Sequence, residues 1–318
     1  MRSKLMCTAA VTAVTLTGGA LAPADAEEQS SDPITAIQAA APEVLKGVAD
    51  APAEESGDIA IELNAGSGLA NVKVPVDPAD GITFESSEAN ASISIGLPNA
   101  DDASSAIVEA DGVVSYDNGD GSTTVPVVKS DGSLQVTTVI DGPDAPTRYE
   151  YPIELPEGGA LVDAGDGFFA AVDADGLPIA MISPAWAKDA NGEDIATHYE
   201  VNGTSLVQVV EHSAGTVYPV VADPTYRGRL ITAVGLKTDP KGTIVAVTAK
   251  KDYSVRELGD NFYAEYKLWV NPKFHGQKYR DQLVCHVFNA RNKSPWNIDS
   301  WRPNVGYHLT VVNLCNPN

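Results

Sequence analysis

Between residues 58 and 223, short apolar runs rich in β-branched residues alternate with polar positions. Examples are Ile59-Ala60-Ile61-Glu62-Leu63, Ile93-Ser94-Ile95, Leu134-Gln135-Val136-Thr137-Thr138-Val139-Ile140 and Leu206-Val207-Gln208-Val209-Val210. A period of two over such short spans predicts strands with one face toward a core. Asp-Gly recurs seven times, at Asp80, Asp111, Asp120, Asp131, Asp141, Asp166 and Asp175. This dipeptide suits the positive-φ positions of tight hairpins, so the pattern predicts an antiparallel meander or sandwich.

The pattern changes at both ends. Asp32-Pro33 is a helix start, an N-cap followed by proline in the first turn, and Ile34, Ile37 and Ala41 follow at helical spacing up to Pro42. Ala51-Pro52-Ala53-Glu54-Glu55-Ser56-Gly57 then reads as a linker. The apolar face of this leader is too small for independent stability, which predicts a loosely attached segment. At the other end, residues 230–236 and 243–248 flank Asp239-Pro240-Lys241-Gly242 as a β-hairpin. Phe262, Tyr263, Tyr266 and Trp269 form one stripe if residues 260–269 are helical. The runs 282–288 and 307–312 read as strands.

The expected organisation is therefore mainly β: residues 58–222 as an acidic β-sandwich-like domain, then residues 223–318 as a small α+β domain with one disulfide. Residues 1–26 resemble a secretory signal, with Arg2 and Lys4 before a small-residue apolar run and Ala24-Asp25-Ala26 as the cleavage motif, leaving residues 27–57 as leader and linker. No later segment is apolar enough for a transmembrane span. Cys285 and Cys315 remain after the signal. In an oxidising compartment they read as a bridge worth roughly 3–4 kcal/mol for a loop of about 30 residues.

Charge sharpens the division. The chain of 318 residues carries 21 Lys+Arg against 43 Asp+Glu. Residues 27–224 hold 5 and 35 of these, whereas residues 225–318 hold 14 and 7, together with 12 of the 21 aromatic residues. Two units of opposite polarity are expected to join near Tyr218-Pro219-Val220-Val221-Ala222-Asp223-Pro224, where the prolines favour extended backbone. Opposite fields also favour intramolecular docking of the basic tail on the acidic domain.

Chemistry-bearing candidates are few. Asp117-Asn118-Gly119-Asp120-Gly121 lacks the spaced acceptors of a calcium loop and reads as a turn. Trp186 in its polar loop reads as an aromatic plug over the sandwich end rather than a sugar platform. In the tail, His286 and His308 with Arg291, Lys293 and Arg302 are the groups that acid–base attack on a phosphodiester requires. The plainer reading pairs Arg302 with Asp299 or stacks it on Trp301, and sets His286 on a strand face as a packed or exposed residue. No GxSxG, HExxH, CxxC, P-loop or GxGxxG motif occurs, so no catalytic residue, metal ligand or cofactor is assigned.

The run Asp281-Gln282-Leu283-Val284-Cys285-His286, the block Trp296-Asn297-Ile298-Asp299-Ser300-Trp301-Arg302-Pro303, Val305-Gly306-Tyr307 and the final Cys315-Asn316-Pro317 resemble domain of unknown function 2599. That family occurs in secreted actinobacterial proteins. The resemblance implies export, paired cysteines and a C-terminal boundary, and carries no activity. The expectation is a secreted or wall-associated, non-enzymatic module binding an anionic or carbohydrate polymer of the cell envelope. His286, Arg291, Trp296, Trp301, Arg302 and His308 are its candidate ligand contacts. The alternative is a secreted effector with a nuclease-like tail restrained by the acidic domain.

Overall fold

The computed structural model describes residues 32–66, 68–251 and 258–318. The expected signal peptide lies outside the described residues. The chain opens with α1 (Pro33–Ala40), where the Asp32 carboxylate caps the Thr35 N–H at 3.0 Å. Strands follow as β1 (Ile59–Leu63), β2 (Ala70–Pro75), β3 (Ile82–Ser86) and β4 (Ala91–Ile95). Next come β5 (Ile107–Ala110), β6 (Val113–Asp117), β7 (Ser122–Val128) and β8 (Leu134–Ile140). Then follow β9 (Arg148–Glu154), β10 (Ala160–Gly165), β11 (Phe168–Val172) and β12 (Pro178–Ile182). The strands β13 (Ala187–Lys188), β14 (Thr197–Asn202), β15 (Ser205–Val210), β16 (Val220–Ala222) and β17 (Thr225–Gly228) complete this part.

Two antiparallel sheets result. One runs in the order β1-β2-β3-β4-β9-β15-β14, the other β10-β11-β12-β17-β8-β7-β6-β5, with β16 also on β8 and β13 on β16. Their shared core draws Phe84, Ile95, Tyr151 and Leu206 from the first sheet and Tyr116, Val136, Ile140, Ile182 and Tyr226 from the second. Along β9, Tyr149, Tyr151 and Ile153 point inward while their neighbours are exposed, the alternation of a half-buried strand. Of the Asp-Gly pairs, those at Asp80, Asp111, Asp120, Asp131, Asp166 and Asp175 sit between consecutive paired strands. Gly112 and Gly132 adopt φ of 72° and 84°, the conformation for which glycine is suited. The turn after β6 is self-satisfied, with Asp117 accepting the Gly119 N–H at 2.9 Å and Asp120 the Ser122 N–H at 3.0 Å. Among the described residues no three His, Cys, Asp or Glu side chains gather to hold a metal ion.

Strands β7 and β8 are buried along their whole length, and the leader explains why. Ala36, Ile37, Ala40, Ala41 and Val44 pack on Val113, Val125, Val127, Val139 and Val221, the outer face of the second sheet. The leader is thus a fixed layer, not the loosely attached piece expected from its length. Small alanines let the helix approach the sheet, and tertiary burial supplies what local propensity lacks. The expected linker is pinned as well: Ala53 bridges Ile61, and the Glu55 carboxylate accepts the Val108 N–H at 3.0 Å.

The C-terminal part contains β18 (Ile231–Asp239), β19 (Gly242–Ala249), α2 (Gly259–Trp269), α3 (Gln277–Asn289), β20 (Trp296–Asp299) and α4 (Tyr307–Val312). The hairpin turns at Pro240-Lys241 with Asp239 opposite Gly242, and β20 adds a third strand by pairing Trp296 with Val247 and Asp299 with Ile244. The aromatic stripe of α2 is helical and buries Phe262, Tyr263 and Tyr266. Two elements differ from expectation. Residues 282–288 lie in a helix, not a strand, because Tyr279, Leu283 and Val287 recur every four residues and together enter the core. Residues 307–312 are likewise one and a half turns of helix, fastened by the Cys285–Cys315 disulfide with Cα atoms 5.4 Å apart.

The join also lies later than residue 223. Asp223 is fully buried and β17 pairs with both β8 and β12, so the acidic part's sheet continues to Gly228. There the two parts interlock. Leu69, from the loop before β2, inserts into the C-terminal core, and a Cβ on Gly228 would collide with the Leu69 carbonyl oxygen. Among the described residues no helix is long and apolar enough to cross a membrane.

Candidate functional site

The six candidate contacts do not share one surface. His286 is buried on α3, with Nδ1 2.7 Å from the Gln282 carbonyl and its ring 6.4 Å from that of Trp296. Burial holds its pKa below the usual imidazole value. Trp296 is buried too, donating from Nε1 to the Ala290 carbonyl at 3.0 Å and meeting Phe262 edge to face. These two are therefore core residues, and neither is placed to touch a polymer. Arg291 spends its guanidinium on the Lys251 carbonyl, Nη2 at 2.7 Å. His308 is exposed on α4.

Arg302 anchors the end of the chain. Its Nε donates to Asp299 at 3.0 Å, and Nη1 reaches the Asn316 and Pro317 carbonyls and the Asn318 side chain. Asp299 is tied to α3 in turn: its N–H donates to Gln282 Oε1 at 2.8 Å, and its carbonyl accepts from Gln282 Nε2 at 3.2 Å. The pairing of Arg302 with Asp299 and its position 5.8 Å from the Trp301 ring are the plain reading of the sequence block. Gln282, Asp299 and Arg302 thus fasten α3, β20 and the terminal residues to one another.

Basic side chains outnumber acidic ones in the last stretch of the chain, where Arg280 is paired with the exposed Asp260 of α2. Residues 271–318 contain six Lys or Arg and only two acidic side chains, Asp281 and Asp299, both buried. Lys273 and Lys293 are exposed, and Trp301 is half-buried. The basic part meets the acidic sheets through Lys267–Asp166 at 2.9 Å, Lys250–Glu88 at 3.0 Å and Arg229–Asp173 at 3.5 Å.

A second feature lies along that junction. A cleft of about 630 Å³ runs past Trp186, Asp223, Thr225, Arg227 and Asn261. A neighbouring cleft of about 610 Å³ shares Phe168 and Pro184 and adds Tyr263, Lys267 and Arg280. Trp186 packs partly on the leader's apolar cluster while facing the first cleft. Asp223 accepts from the Thr225 hydroxyl at 2.7 Å and the Trp186 N–H at 3.3 Å, yet its burial outweighs these bonds and lifts its pKa to about 7. Glu265 on α2 is the second such acid: burial raises it to about 7 against the N–H bonds of Ile231 and Leu230. Neither acid stood out in the sequence, since each sits in an apolar context whose burial only the fold creates.

Comparison with known proteins places the C-terminal part. Residues 236–318 match the family model described as Protein of unknown function (DUF2599). The match begins inside β18 and takes in the hairpin, α2, α3, β20 and α4, so the disulfide and the Gln282–Asp299–Arg302 fastening both belong to the DUF2599 region. A search of curated proteins finds no match.

Proposed function

We propose that the protein is exported and acts as a non-enzymatic binding protein, its DUF2599 region holding an anionic or carbohydrate polymer of the cell envelope or extracellular space. The observation that carries this reading is the excess of cations in residues 271–318, where both acidic side chains are buried and Lys273 and Lys293 stand exposed. A linear polyanion releases counterions when it meets such cations, and half-buried Trp301 adds an aromatic edge. The acidic sandwich supports the same reading as a partner that holds the basic part through Lys267, Lys250 and Arg229 while Lys273 and Lys293 stay exposed.

The hydrolytic alternative finds less support. An imidazole packed on Trp296 and hydrogen-bonded to Gln282 is not free to move a substrate proton. The purified full chain is expected to be retained on immobilised dextran sulfate at low salt and released as salt rises. Lack of retention at low salt contradicts the reading. So does degradation of RNA, DNA or a wall glycan that His308→Ala abolishes.

A further inference from the structure

The two clefts at the junction share Phe168 and Pro184, so they join into one groove between the acidic sheets and α2. Their volumes, about 630 and 610 Å³, lie in the range of about 300–1,000 Å³ that small-molecule sites occupy. Aromatic side chains follow one another along the groove, Trp186 in the first cleft, Phe168 in both and Tyr263 in the second. Trp186 is half-buried: it packs partly on the leader's apolar cluster and lines the first cleft.

The charges along the groove are satisfied within the protein. Lys267 pairs with Asp166 at 2.9 Å, Arg280 with Asp260, and Arg227 lies 3.7 Å from Asp131. Lys129 donates to the Val44 and Lys46 carbonyls, and the exposed Glu43 and Lys46 of the leader are of opposite sign. An ionic ligand therefore finds no excess charge to match. The wall of the first cleft offers hydroxyls and amides instead. The Ser133 hydroxyl donates to Asp131 at 2.6 Å and that of Thr225 to Asp223 at 2.7 Å, so each is held with oxygen lone pairs left to accept. Gln135 and Ser183 line the same wall. Arg227 Nε is buried without a hydrogen-bond partner among the described residues, a cost that a ligand oxygen would remove. No strand edge is open here to a peptide, because β8, β12 and β17 are each paired on both sides. Fixed donors and acceptors around an aromatic face suit a neutral sugar, whose hydroxyls meet the polar groups while its C–H face covers the ring.

We propose that this junction groove binds a neutral oligosaccharide, with Trp186 as the stacking platform and Gln135, Ser183, Thr225 and Arg227 as the hydrogen-bonding groups. Lys273 and Lys293 take no part in it, so the proposal stands apart from the polyanion reading. The full chain is titrated calorimetrically with cellotriose, chitotriose, maltotriose and mannotriose. Saturable binding of at least one is expected, with the same affinity at low and high salt because no net charge is neutralised. Trp186→Leu keeps an apolar side chain against the leader and removes the ring, and is expected to bind about tenfold more weakly. Ser183→Tyr fills the groove from a half-buried position just past β12 and is expected to abolish binding with the thermal midpoint unchanged. It decides the question if Trp186→Leu fails to fold. Excess dextran sulfate is expected not to displace the sugar. Binding of none of the four overturns the proposal, as does binding that both variants retain, a steep salt dependence, or displacement by dextran sulfate. Retention on dextran sulfate is read separately, so failure of the polyanion reading leaves the sugar result standing.

Discussion

Glu265 Oε1 accepts the backbone N–H of Ile231 at 2.8 Å, joining the middle of α2 to the first residue of β18 inside a sealed core. The other oxygen accepts the Leu230 N–H at 2.9 Å, and Arg229 next to it reaches the Pro178 carbonyl at 2.7 Å and Asp173 at 3.5 Å. A helix of the DUF2599 region therefore satisfies the backbone where the chain leaves the acidic sheet. Buried N–H groups without partners are costly, so this carboxyl holds the orientation of the two parts.

Glu265 also makes a pH signature. Its folded pKa of about 7 lies above the 4.5 of an ordinary glutamate, so the native state binds the proton more tightly than the unfolded chain. Its contribution to stability is then fully present below pH 4.5 and lost as pH rises to about 7. Asp223 acts in the same direction, and His286, held below its usual value, in the opposite one. Glu265→Gln removes the Glu265 share and replaces an acceptor with an amide facing an N–H. The variant is expected to be less stable by about 1–3 kcal/mol and to show a smaller decline in denaturation midpoint between pH 5 and pH 7 than the wild type. An unchanged pH slope refutes the assignment.

The leader offers a second check. Ile37 is fully buried among Val113, Val125, Val127, Val139 and Val221. Ile37→Ala is expected to cost about 2–4 kcal/mol in denaturant unfolding, the range for a core truncation. A change near zero restores the loosely attached leader.

That contrast illustrates what the sequence reveals. Asp-Gly at Asp111 or Asp166 announces a hairpin because its backbone requirement is local, and the Cys285–Cys315 bridge follows from pairing arithmetic. The helical nature of residues 282–288 was also legible, in the spacing of Tyr279, Leu283 and Val287, but the β-branched Val284 and Val287 obscured it. The leader's docking was not legible, because its partner valines are scattered over a hundred residues of sequence. In the candidate site, Arg302 beside Asp299 was readable from their spacing. The burial of His286 and Trp296 depends on α2, α3 and β20 packing together, which no local pattern encodes.

Reduction isolates the role of the disulfide. Cys285 and Cys315 are separated by 30 residues and fasten α4 to α3. Cys315→Ser is expected to lower stability by roughly 3–4 kcal/mol on the chain-entropy account. It is also expected to speed hydrogen exchange first at Thr310 and Asn313, whose N–H groups bond Gly306 and Leu309. Exchange that rises evenly over the sandwich contradicts a local staple.

The central claim is that the basic stretch of residues 271–318, through its exposed Lys273 and Lys293, binds a polyanion, and the salt dependence of affinity tests it most directly. For the full chain on a linear polyanion, log K is expected to fall linearly with log salt, and Lys273→Ala/Lys293→Ala to reduce the slope by about 1.4, from about 0.7 per contact. A salt-independent affinity, or a slope that the double variant leaves unchanged, contradicts it.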